Sequence, residues 1–234
     1  KISYSIIFLL VGTLTVNAAE KVDLLKTDWS FKGLFGKFDR GALQRGYQVY
    51  SEVCAGCHSM KYVSYRNLSE PGGPEFSEEQ VKVIAASFEV TDGPNNDGEM
   101  FERPAKLSDK FVMPFENVKA AQAANGGAYP PDMSVLAKAR SGGVDYIYSV
   151  LLGYEDPPSG VTLDDGVYYN KYMYGNKIKM SQPLMDDAVE YSDGTKATEE
   201  QMAKDVTTFL MWAAEPHLEA RHKMGFKAIL YLII

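Results

Sequence analysis

Cysteine is scarce: the chain has two in 234 residues. That excludes a disulfide-stapled scaffold and a zinc site built from four thiolates. Histidine is almost as scarce, with three, His58, His217 and His222. Positive charge is in the minority, 24 Lys and Arg against 31 Asp and Glu, for a formal net charge of −7. Nucleic acid is therefore not the expected partner, because phosphate binding wants a basic face. No internal repeat and no low-complexity segment is present, and strand-like alternation is rare. Nor does any apolar run reach the roughly 20 residues that cross a bilayer.

The two ends differ from the middle. The opening "KISYSIIFLLVGTLTVNAAE" places Lys1 before an apolar run, Ile6 to Leu14, and then small residues at Ala18 and Ala19. This layout predicts a secretory signal peptide over residues 1–19, and hence export. The last stretch, "EARHKMGFKAILYLII", turns apolar from Phe226, and Tyr231 is the one polar residue after Lys227. It reads as the first turns of a membrane helix, residues 218–234, with Arg221, His222 and Lys223 at the headgroups. Between the ends lies an expected globular domain, residues 20–217.

That domain reads as mostly α with much irregular chain. Leu43, Gly46, Tyr47, Tyr50 and Val53 recur at helical spacing and lead into Cys54, with Gly46 suited to close helix approach. Ser77 with Gln80 predicts a capping box. Short helices are expected in "DMSVLAKAR" and "VDYIYSVLLGY", and "DDGVYYNKYMYGNKIKM" reads as extended or looped chain. Thr198 with Gln201 caps a last helix that Pro216 interrupts.

Both cysteines fall in "EVCAGCHSM", as Cys54-Ala55-Gly56-Cys57-His58. A thioredoxin-like redox pair would follow a strand, and none is signalled here. Structural zinc would need a fourth ligand beyond Cys54, Cys57 and His58. Covalent haem c attachment needs only what is present. Two thiols one helical turn apart add to the haem vinyl groups, and the adjacent imidazole becomes an axial ligand. One such motif implies one haem c.

The second axial ligand decides between an open, reactive iron and an electron carrier. No histidine is well placed, which leaves methionine. Met60 is too close to the motif, Met202 and Met211 belong to the core face of the last helix, and Met224 lies at the membrane edge. Met113 in "KFVMPFE" and Met180 in "NKIKMSQPL" each sit on a loop near a proline, and spacing does not separate them.

Several blocks are more specific than the haem motif. They are "WSFKGLFGKFDRGALQRGYQVYSEVCAGCHSMKYVSYRNL", "DGPNNDGEMFERPAKLSD", "NGGAYPPDMSVLAKARSGGVDYIYSVLLGY" and "YYNKYMYGNKIKMSQPL". Through them the chain resembles the cytochrome c1 family, the haem-bearing subunits of quinol–cytochrome c oxidoreductases, in its alphaproteobacterial form. The resemblance implies a class I cytochrome c-like haem domain with long irregular insertions, followed by a C-terminal transmembrane anchor that is truncated here. It implies Met180 rather than Met113 as the partner of His58 on the iron. It further implies that Arg140 pairs with a haem propionate, that Tyr146 contacts the haem, and that Asn125 and Pro131 line its crevice.

Implied partners are a cytochrome b subunit, a Rieske iron–sulfur protein, a soluble or membrane-anchored cytochrome c, and membrane lipid. A dimer of multi-subunit complexes follows from the same resemblance. So does a place in the bacterial inner membrane, single-pass, with the haem domain in the periplasm. Two rival readings are another membrane-anchored monohaem carrier and a haem c protein with an open sixth position.

Overall fold

The computed structural model describes residues 22–234, so the expected signal peptide lies outside the described residues. The fold is mostly helical. Asp39 accepts from the Ala42 amide and starts α1, Arg40–Val49. Ser77 starts α2, Glu78–Ala86, through the expected capping box with Gln80. A small antiparallel hairpin follows, β1 Glu89–Asp92 with β2 Phe101–Pro104, Glu89 facing Pro104. Then come α3 Val118–Ala124, α4 Leu136–Ala139 and α5 Gly143–Leu151. The tyrosine-rich stretch holds β3 Tyr168–Tyr169 paired with β4 Lys177–Ile178, with a single 3-10 turn, Tyr174–Asn176, between them. Two long helices end the chain, α6 Glu199–Ala214 and α7 Leu218–Ile233.

The core is organised by α1 crossing α6. Leu43, Tyr47 and Val49 of α1, and Tyr50 just after it, are buried with Met202, Val206, Phe209, Leu210 and Trp212 of α6. Tyr47 meets Phe209 edge-on at 5.8 Å, and Phe209 lies 5.3 Å from Trp212. The crossing is close because Gly46 has no side chain: a Cβ there would overlap the carbonyl oxygen of Asp205. Beside it, Arg45 donates from Nε to Asp205 Oδ2 at 2.8 Å and from Nη1 to Asp193 Oδ2 at 2.7 Å. The Asp205 carboxylate is fully buried, and that guanidinium is its counter-charge.

The expected Thr198–Gln201 cap starts α6. Thr198 does accept from the Gln201 amide, but the Gln201 side chain donates to Asp205 at 3.0 Å rather than turning back to the cap. A buried carboxylate is the stronger acceptor, and it lies one turn along the same helix.

Residues 24–32 form a strap over α5. Trp29 Nε1 donates to Asp145 Oδ1 at 2.6 Å, and Lys26 and Lys32 pair with the same carboxylate at 3.0 and 3.1 Å. The Leu25 amide donates to Ser149 Oγ at 2.9 Å. Burial alone would raise the Asp145 pKa, but the hydrogen bonds from Trp29, Lys26 and Lys32 outweigh it and hold the value down. A depressed folded pKa makes the strap's stabilisation fully present above the ordinary carboxylate value of about 3.9 and lost as pH falls through the lower folded value. Hydrogen exchange should therefore show protection of residues 24–32 at pH 6 that is lost in stronger acid, after correction for intrinsic rates. Protection unchanged by acid would remove Asp145 as the clasp.

At the other end, α7 is anchored by its first turn. Leu218 is buried in the core. Glu219 takes two bonds from Arg40, at 2.8 and 3.0 Å, and one from the Phe38 amide at 3.0 Å. His222 and Phe226 keep α7 against residues 35–36, and past them it leaves the domain, with residues from Ile229 to Ile234 exposed. No helix among the described residues is long and apolar enough to cross a membrane.

Candidate functional site

The site begins where α1 ends. Tyr50–Cys54 continues the helix as a wider π turn, with the Ala55 amide bonded to the Tyr50 carbonyl at 2.8 Å. Such turns re-aim side chains and concentrate at functional positions. The chain then tightens, and the Cys57 and His58 amides both donate to the Cys54 carbonyl, at 3.1 and 2.9 Å. As a result Cys54 faces inward and Cys57 outward, and no disulfide joins them. Burial, with Cys57 as a lesser cause, pushes the Cys54 thiol up to about 12.

His58 is 8% exposed, and its Nδ1 lies 2.8 Å from the Pro131 carbonyl oxygen. A carbonyl can only accept, so Nδ1 carries the hydrogen and Nε2 keeps its lone pair. Burial lowers the His58 pKa and prevails over the Pro131 carbonyl and Asp132, which pull it up. The ring is therefore neutral and ready to ligate. Its main-chain carbonyl accepts from the Tyr50 hydroxyl at 3.1 Å.

Asp132 was not singled out by sequence, because "PPD" reads as simple turn chemistry. Its carboxylate ties two segments together. Oδ2 accepts from Ser59 Oγ at 2.8 Å and from the Lys61 amide at 3.0 Å, while Oδ1 accepts from the Ser134 amide at 3.0 Å. Burial would raise its pKa, but these donors keep it low. The Met133 amide adds a bond to the Ser59 carbonyl at 2.8 Å. Together they hold Pro131 where His58 needs it.

A second group forms around β4. Met180 packs with Tyr146, Tyr154 and Leu24 against Val150, Tyr172 and Ile178. Its carbonyl accepts from the Tyr154 hydroxyl at 3.1 Å. Lys179 Nζ donates to the Gly126 carbonyl at 2.7 Å, so residues 126–131 run from the Met180 segment to His58. The Tyr146 hydroxyl donates to Met173 Sδ at 3.3 Å, which brings a further thioether to this group. Met113 is 51% exposed on its loop.

The other expected positions lie at the margin. Asn125 caps α3, its Nδ2 donating back to the Ala121 carbonyl at 2.7 Å. Arg140 is exposed at the end of α4 and has no ion-pair partner among the described residues. Its charge reaches Tyr146, where it opposes the upward push of burial on the phenol.

Two unpaired thiols and a neutral imidazole with Nε2 free make a donor set that fits covalently held haem c. Residues 29–234 match the sequence profile of the cytochrome C1 family. The chain belongs to the cytochrome c1 family. It is 53% identical over 225 residues to the protein named cytochrome b/c1 of Bradyrhizobium diazoefficiens, covering 88% of this chain and 33% of that protein. It is 52% identical over 204 residues to "Cytochrome c1 2, heme protein, mitochondrial" of Arabidopsis thaliana, covering 87% of this chain and 66% of that one. With the cytochrome c1 of Rhodospirillum rubrum it shares 50% identity over 227 residues, 90% of this chain and 82% of that protein. The chain thus spans a third of the first relative and just under two thirds of the second. All eight expected site positions fall inside the segment matched to the cytochrome c1 family.

Proposed function

We propose that this chain is the haem-bearing electron-transfer subunit of a quinol–cytochrome c oxidoreductase. The observation that carries the reading is His58: buried, neutral, and fixed by Pro131 with Nε2 free beside two unpaired thiols. Haem c, attached through Cys54 and Cys57, would supply a one-electron ferric–ferrous couple. His58 and Met180 would hold its iron, Met180 through a soft thioether that favours the reduced state and raises the potential. Arg140 would meet a propionate with its free guanidinium, Tyr146 and Pro131 would bound the crevice, and Asn125 would fix the end of α3 beside it.

No bond of a substrate breaks at this subunit. The residues act by excluding water, fixing ligand orientation and limiting rearrangement when the charge changes. The electron would arrive from a Rieske iron–sulfur protein and leave to a soluble or membrane-anchored cytochrome c. A cytochrome b partner is supported by the Bradyrhizobium relative, whose name joins b and c1. Residues 1–19 would be the export signal, 20–217 a class I cytochrome c-like domain in the periplasm, and 218–234 the start of a single membrane anchor. The exposed apolar turns of α7 support that last assignment. The whole assembly would be a dimer of multi-subunit complexes in a bacterial inner membrane.

The test is quinol-driven reduction of the protein purified gently in detergent from its own membranes. The expected result is a ferrous c-type spectrum on adding quinol, with b-type haem and an iron–sulfur signal copurifying. A single c haem that purifies alone and ignores quinol would overturn the assignment to the complex.

A further inference from the structure

Two cavities stand out among the described residues, and neither is lined by His58. The larger, about 340 Å³, lies between α1 and α2 beside Asp193. Of its charged residues, Arg45 and Asp193 already satisfy each other, and Glu52 accepts from Gln48 Nε2. The smaller, about 210 Å³, lies between residues 34–37 and the first turns of α7. It has a different character. Leu34, Phe35 and Phe226 supply an apolar wall, and Lys37, Lys223 and Lys227 stand around it.

Three features of this groove call for an anionic, partly apolar occupant. The lysines make no ion pair within the described residues, in a protein whose net charge is −7. The acid in the groove, Glu219, is taken up mainly by Arg40 and the Phe38 amide; of the three lysines Lys223 also acts on its charge, while Lys37 and Lys227 are left to an incoming anion. The wall is wet as it stands: Phe35 is 71% exposed although it meets Phe226 edge-on at 5.8 Å. The groove is also held in shape, since His222 Nδ1 lies 3.1 Å from the Gly36 carbonyl oxygen. Directly beyond it α7 becomes an exposed apolar helix.

We propose that this groove binds one anionic phospholipid, its phosphate among Lys37, Lys223 and Lys227 and an acyl chain along Leu34, Phe35 and Phe226. Free phosphate would use the cations but leave the aromatic wall in water. An apolar peptide would cover the wall but leave three lysines to be desolvated without a counter-charge. A lipid satisfies both, and the groove sits where α7 turns apolar, the level at which headgroups would lie. The proposal rests on the membrane reading of α7.

The test uses the detergent-purified complex, stripped of lipid and then reloaded with phosphatidylglycerol, phosphatidylcholine or inorganic phosphate. Retained phosphorus per haem is counted after washing. One phosphatidylglycerol more should be retained by the wild type than by a Lys37→Gln, Lys223→Gln, Lys227→Gln variant, with no difference for phosphatidylcholine. Phe35→Ser should lose that lipid while keeping all three lysines. Equal retention by wild type and variants overturns the site, as does inorganic phosphate retained as well as lipid. Either result with quinol reduction intact sinks the lipid site alone. Release of the chain from membranes by an alkaline wash would sink the membrane reading with it.

Discussion

Gly46→Ala is expected to destabilise the protein by about 3 kcal/mol, the upper part of the usual range for overpacking. The added methyl would overlap the Asp205 carbonyl oxygen and lie 2.7 Å from its carbon and 2.8 Å from Phe209 Cβ. Two of these three atoms are backbone of α6, so no rotamer change relieves the clash. The helices must separate. That loosens the Tyr47–Phe209 contact and stretches the bonds from Arg45 to Asp205, whose carboxylate has no water to fall back on. The measurement is the thermal midpoint of the haem-loaded protein. Gly56→Ala is the internal control: a Cβ at Gly56 has nothing within 4 Å, so its midpoint should match wild type although it lies between the two cysteines. Equal midpoints for both variants would show that the α1–α6 approach is not limited by Gly46.

Met180→Leu should open the sixth position of the haem while leaving the fold intact. Leucine keeps the volume that packs against Val150, Tyr172 and Ile178, so the cluster holds. What is lost is the thioether. The reduced protein should then bind carbon monoxide, and its midpoint potential should fall by on the order of 0.1 V or more, within the ~0.8 V over which axial ligands set haem potentials. Met113→Leu should do neither, because Met113 sits exposed on its loop. If Met113→Leu admits carbon monoxide and Met180→Leu does not, the ligand assignment reverses. If Met173→Leu does, the thioether held by the Tyr146 hydroxyl is the ligand instead.

Sequence legibility followed the range of the interactions. The Ser77–Gln80 cap spans three residues and carries its own signature, and it formed as read. The thiols and imidazole lie within five residues, and their chemistry is stated by their types. Gly46 was readable because a glycine amid helical spacing has few uses other than close approach. Three features left no such trace. The acceptor for His58 is the carbonyl of Pro131, and a backbone atom has no residue code. The π turn at Tyr50–Cys54 has the same composition as an ordinary helical turn. The grip of Asp145 on Trp29 joins positions 116 apart, each of which reads locally as a solvated charge or a linker aromatic. The Thr198–Gln201 cap also formed as read, but the further bond from the Gln201 side chain to Asp205 depends on a carboxylate buried by a distant helix, which no local pattern records.

The strap has a consequence for the order in which the molecule can be completed. Trp29 is made early and waits for Asp145, 116 residues later, and Phe38 waits for Glu219, 181 residues later. Contacts this remote are slow to form, because a long loop must close before they give any return. A nascent chain that ends before α7 has neither Glu219 to hold Arg40 nor Leu218 to fill the core. During that interval the two thiols, made by residue 57, are carried on an unfinished and open chain. The late closure of residues 29–38 on α5 and α7 thus leaves a period in which an enzyme can reach both cysteines, before Cys54 is sealed inside.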